Sequence, residues 1–151
     1  MQCDYLFKIN FRIICFWIFI ASSLIFTSLI LFENEGDFYW LAYGIAILLQ
    51  VVLSVIFSFI IVTYFKVALS NEGIKGFNVF GRSIFIDWVN ISKVKYFNFI
   101  GLKFLRVFPN DSTLALWLPL FIKNPEGFAK QSSLIPPEGN VFREFFSSKY
   151  A

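Results

Sequence analysis

Histidine is absent from this chain, and cysteine and methionine nearly so, with two and one among 151 residues. Without imidazole the commonest general base and metal ligand at neutral pH is missing. Cys3 and Cys15 form no disulfide framework, and neither stands at a metal-ligand spacing from another donor. Charge is scarce as well. Only 15% of residues are Asp, Glu, Lys or Arg, against about one-quarter in an ordinary soluble domain. The six carboxylates beyond Lys66 are scattered over turns and helix starts, with no close pair suited to acid–base work. The glycines of GIKGFNVFG lack the spacing of a dinucleotide or phosphate loop, and no serine or cysteine has a recognisable base partner. This inventory supplies no catalytic residue, no metal site and no cofactor site, so enzymatic activity is not expected.

What the chain has instead is apolar: 58% hydrophobic and 21% aromatic residues, concentrated before residue 66. Ile13 to Phe32 and Phe38 to Phe65 are uncharged runs, and about 20 apolar residues cross a bilayer as a helix. Only Glu33 to Asp37 separate them, so the runs predict a tight antiparallel transmembrane hairpin over 13–65, with Asn34 and Gly36 suited to the turn. The first run is longer than a cleaved leader's apolar stretch, and no small-residue cleavage pattern follows it. Lys8, Arg12 and Lys66 flank the spans, while the connector has no Lys or Arg. The positive-inside rule then puts both termini in the cytoplasm of a multi-pass plasma (inner) membrane protein, with residues 1–12 as a cytoplasmic tail. Tyr39, Trp40 and Tyr43 would mark the outer interface and Tyr64 the inner one.

Ser22 and Ser23 in the first span fall at the same depth as Gln50 in the second, and Ser54 and Ser58 form a small-xxx-small pair. An amide in hydrocarbon needs a partner, so these five residues are candidates for helix packing. Neither span carries an ionisable residue, which argues against an ion or proton path.

Beyond the spans, Asn71-Glu72-Gly73, Gly81-Arg82, Gly101 and Asn110-Asp111 punctuate strand-length runs rich in aromatic and β-branched residues. That spacing predicts an antiparallel sheet bent into a sandwich or partial barrel over residues 66–151. Asn124-Pro125-Glu126 reads as a helix start and Pro136-Pro137 as its stop. Asn140 caps a last helix with Val141, Phe142, Phe145 and Phe146 on one face. The fold class is α+β: a helical membrane hairpin, then a sheet closed by a terminal helix.

In SIFIDWVNISKVKYF the alternation stalls at Val89-Asn90-Ile91. A strand ending in Trp88, followed by Asn90, Ile91 and Val94, resembles the bacterial pleckstrin-homology-like domains, whose members place an acidic or amide residue, Ile and Val there. GLKFLRV, LALWLPLF and NPEGF…PPEGN are similar to the later strands and closing region of two-span membrane proteins with such a domain. The resemblance covers roughly residues 38–148 and rests on packing signatures rather than chemistry. It implies that Trp88, Asn90, Ile91 and Val94 are fold determinants, with Asn90 holding a corner through a local bond to backbone. It also implies self-association as a homo-oligomer. It does not extend to phosphoinositide recognition, because the first hairpin turn is Asn71-Glu72-Gly73 rather than a basic one.

From Lys66 onward, eleven Lys and Arg stand against six Asp and Glu, a net +5. Lys66, Lys93, Lys95, Lys103 and Arg106 are candidate contacts for anionic lipid headgroups. No reading helix or aromatic platform accompanies the charge, so nucleic acid is not an expected partner. The expected role is a non-catalytic membrane protein whose cytoplasmic module serves as a protein-interaction, self-association or membrane-surface scaffold. The alternative is a small accessory subunit of a transport or assembly complex that works through its spans. In both cases the partners are the bilayer and a protein.

Overall fold

The computed structural model describes residues 5–32, 40–111 and 114–150. Among these are four α-helices and a seven-stranded antiparallel sheet, in a mixed α+β arrangement. The chain divides into two compact units, one of residues 10–64 and one made of residues 1–9 with 65–151.

The first unit holds α1 (Phe11–Phe32) and α2 (Trp40–Tyr64). Both are long and apolar enough to cross a membrane. With 22 and 25 residues, α1 starts two residues ahead of its uncharged run and α2 ends one residue short of its own, at Tyr64. Asn10 explains the earlier start: its Oδ1 accepts from Arg12 N at 3.1 Å, a local cap just before the helix. Asn34, Gly36 and Tyr39 lie outside the described residues, as does the side chain of Trp40.

The second unit begins with β1 (Tyr5–Lys8), in the segment that the sequence reads as a cytoplasmic tail. It pairs antiparallel with β2 (Lys66–Leu69), from Tyr5 against Leu69 to Lys8 against Lys66. The two helices are thus inserted between neighbouring strands of one sheet. The partner strand lies beyond the helices in sequence, where no local turn signal announces the pairing.

β3 (Gly73–Phe77) takes β4 (Ser83–Asp87) on one edge. Its other edge is shared, by β2 at Ile74 and Lys75 and by β7 (Leu116–Pro119) at Phe77. β7 continues to β6 (Leu102–Pro109), and β6 to β5 (Ile91–Phe99), giving the order β1-β2-β3-β7-β6-β5. Gly76 stands beside this transfer from β2 to β7, and a Cβ there would meet Leu116 and Leu118 side-chain carbons at 3.2–3.3 Å. At the β5–β6 turn, Ile100 has φ 47° and Gly101 φ 84°. The left-handed backbone suits the glycine and strains the β-branched Ile100.

One face of the sheet carries Leu69, Ile74, Leu105, Val107, Leu116 and Leu118, all fully buried. Two helices close this core. Asn124 caps α3 (Pro125–Leu134) by accepting from Gly127 N at 2.9 Å, and Phe128 enters the core. Asn140 Oδ1 accepts from Phe142 N at 2.9 Å at the start of α4 (Val141–Tyr150), which buries Phe142 and Phe146. Phe7 of β1 packs edge-on to Phe128 at 5.0 Å, tying the first strand to this cluster.

Candidate functional site

Within the helical unit, the sequence-derived packing residues converge. Gln50 Nε2 donates to Ser23 Oγ at 2.5 Å, to Ser22 Oγ at 3.1 Å and to Phe19 O at 3.2 Å. Both serine hydroxyls donate to that same Phe19 carbonyl, at 3.0 and 2.8 Å, which leaves their lone pairs free for the amide. One turn further along α2, Ser58 Oγ donates to Ser54 O at 2.5 Å. Ser54 and Ser58 are both buried, and Ser54 Oγ has no hydrogen-bond partner among the described residues. This seam joins α1 to α2 by hydrogen bonds without any charge.

The corner between β4 and β5 is a single 3-10 turn, Trp88–Asn90. Trp88 is 2% exposed; its Nε1 donates to Ser70 O at 3.0 Å and its ring packs against Phe142 at 5.5 Å, tilted by 42°. Ile91 is buried, and Val94 packs against the core from β5. Asn90 is exposed, and its side chain donates to the Asp87 carboxylate at 3.5 Å rather than to backbone. The corner is held from a distance instead. Asn140 Nδ2 donates to Trp88 O at 2.6 Å, Asn110 N donates to Asn90 O at 2.8 Å, and Asn110 Nδ2 donates to Val89 O at 3.4 Å. The tether that the sequence placed on Asn90 therefore belongs to Asn140 and Asn110.

The basic residues sort by register. Lys95 is paired directly with Arg106, and Lys93 lies two residues before Lys95, so the three share a face. Lys103 pairs with Asn98 and, two and four residues before buried Leu105 and Val107, shares their face, opposite to that of Arg106. Lys66 stands apart, half-buried at the start of β2. The five candidate lipid contacts do not form one cluster.

Aromatic rings surround the three that do share a face. Arg106 is paired with Trp117, and Phe97 with Phe104, all on the side of the sheet away from the core. The Arg106 guanidinium lies 5.0 Å from the Trp117 ring, 5.0 Å from Phe108 and 6.0 Å from Phe97. Such cation–π contacts hold a guanidinium without neutralising it. Its Nε is buried, with no hydrogen-bond partner among the described residues. Phe97 and Phe104 pack edge-on to Trp117 at 5.2 and 5.7 Å, and Phe104 to Phe121 at 5.2 Å. These rings are half-buried, and Phe99 at the rim is 55% exposed. The outer face of an antiparallel sheet is ordinarily polar. Here it is an aromatic plate around one arginine.

The sequence reading found no aromatic platform, and the register assembles one. A signal was available: counting outward from the Ile100-Gly101 turn pairs 97 with 104 and 95 with 106. The β6 run LKFLRVFP conceals the pattern, because its apolar residues occupy both faces.

Among the described residues no three His, Cys, Asp or Glu side chains come together as a metal site. Comparison with protein-family models, curated proteins and solved structures finds no match for this chain. The chemistry on display is apolar contact, cation–π attraction and unfilled strand edges.

Proposed function

We propose that this is a non-catalytic, two-span membrane protein that presents a pleckstrin-homology-like module on the cytoplasmic face as a scaffold for a protein partner or a second copy. The pairing of Lys8 with Lys66 carries the reading. It makes the start of α1 and the end of α2 issue from adjacent positions of one sheet, so an anchor of two spans returns the chain to the side it left. The flanking cations Lys8, Arg12 and Lys66 then lie on that same side, which is the cytoplasmic one by the positive-inside rule.

The pleckstrin-homology-like assignment is supported by an antiparallel sheet whose open core is closed by α4 through Phe142 and Phe146. β1 (Tyr5–Lys8) lies outside the stretch that carries the resemblance. Binding through β-strand addition is supported by β4 and β5, each paired on one edge only among the described strands.

A photo-crosslinking residue at Ser83 on β4, compared with one at Leu48 on α2, tests the reading in native membranes. Ser83 and Leu48 are both exposed. A discrete protein adduct from Ser83 is expected. Adducts from Leu48 alone would overturn the scaffold reading in favour of an accessory subunit working through its spans.

A further inference from the structure

We infer that the outer face of β5–β6–β7 lies on an anionic lipid surface, so that the sheet unit is held to the bilayer by its own aromatic plate as well as by the spans. The inference rests on the two-span reading above.

Three observations converge. The first is chemical. Half-buried aromatic rings rimmed by exposed Lys93 and Lys95 are the side-chain mixture that partitions to a membrane interface, with rings among the acyl carbonyls and cations among phosphates. Arg106, half-buried with its guanidinium 5.0 Å from the Phe108 and Trp117 rings, adds a third cation to that mixture.

The second is continuity. Trp117 is paired with Phe77, and the Phe77 ring is 4.6 Å from that of Phe65. Phe65 directly follows Tyr64, the last residue of α2. Phe77 and Phe65 thus continue the plate as far as the residue that follows the candidate span in sequence.

The third is the β3–β4 turn beside Phe65. A Cβ on Gly81 would lie 3.6 Å from the Phe65 ring. Asn78 Oδ1 accepts from Phe80 N at 3.0 Å and from Arg82 N at 2.9 Å, and Asn78 N donates to Arg82 O at 2.9 Å. This rigid frame lifts Val79 and Phe80 into solvent, 61% and 73% exposed, with exposed Arg82 alongside. An apolar apex already fixed in shape loses little freedom on insertion.

A second copy fits this face less well. A two-fold contact between identical plates would bring Lys93, Lys95 and Arg106 toward their own counterparts.

The test uses the full chain with Cys3 and Cys15 replaced by serine, reconstituted in bilayer discs of phosphatidylcholine with or without phosphatidylglycerol. An environment-sensitive fluorophore is attached at Phe99→Cys, Phe80→Cys, Val89→Cys or Leu48→Cys, and quenched by spin-labelled lipid. Val89, 84% exposed in the β4–β5 corner, is the aqueous reference, and Leu48 reports on α2. Labels at 99 and 80 are expected to emit to the blue of the label at 89 and to be quenched severalfold more strongly. The difference should be larger with phosphatidylglycerol. Lys95→Gln should diminish that anionic preference, and Lys103→Gln, a like charge on the other face, should diminish it less.

Labels at 99 and 80 as wet as that at 89, with 48 quenched, would overturn this inference and leave the spans intact. A label at 48 that lipid does not quench would overturn the spans and this inference together. Shielding of 99 that appears only when two copies share a disc would assign the plate to a second copy, and it would overturn the lipid assignment.

Discussion

Trp88 joins three parts of the sheet unit that are distant in sequence. Its ring fills the core beside Phe142, its indole N–H satisfies Ser70 O, and its own carbonyl receives Asn140 Nδ2. Replacement by alanine removes the ring, empties its site and leaves the Ser70 carbonyl without that donor. Trp88→Ala is expected to cost about 3–5 kcal/mol, read as a lowered denaturation midpoint of the full chain in detergent by near-ultraviolet dichroism, with helix content retained. Trp88→Phe should fall between the two, because it restores much of the volume but not the N–H. Equal midpoints for Trp88→Ala and the parent would show that the corner does not depend on this residue. Asn90, two residues on, has the opposite standing: exposed and tied only to Asp87, it contributes little to the corner beyond its backbone.

Among the elements, the seam between α1 and α2 is the one whose energetics follow from its hydrogen bonds. Gln50 supplies the donors, yet Ser22 and Ser23 keep a backbone acceptor at Phe19 without it. Losing the amide therefore strands no hydroxyl, and the cost of Gln50→Leu reduces to the interhelical bonds themselves, about 0.6–2 kcal/mol. The check is a titration with denaturing detergent, monitored by proximity of labels on the two helices. A Gln50→Leu chain as resistant as the parent would remove the seam from the account.

These two helices were legible in the sequence because uncharged length is a local signal. The same holds for the caps at Asn124 and Asn140, where cap and helix are neighbours. β1 was not legible. Tyr5 to Lys8 carries no turn signal, and its partner lies on the far side of both helices. The aromatic plate was hidden for a different reason. Phe97, Phe104 and Trp117 come from three strands, and the apolar residues of β6 fall on both faces, so alternation alone does not tell core from exterior.

For the whole molecule, the insertion of the helices between β1 and β2 in sequence decides which residues belong to the sheet unit. A chain beginning at Lys66 would lack β1, expose the edge of β2 and withdraw Phe7 from Phe128. The register of β1 with β2 ends at Lys8 against Lys66, and Ile9 beyond it bridges to Ile122. Replacing residues 10–64 by a short flexible glycine-serine linker, which leaves that bridge in place, should give a soluble, cooperatively melting domain. The form that starts at Lys66 should be less stable by about 1–3 kcal/mol from the loss of Phe7 burial alone, with further loss from the unpaired edge. Denaturant titration of the two forms side by side checks this. Identical midpoints would mean that β1 adds nothing to the sheet. The proposal that both helix ends lie on one side of a membrane would then rest on the distribution of Lys8, Arg12 and Lys66 alone.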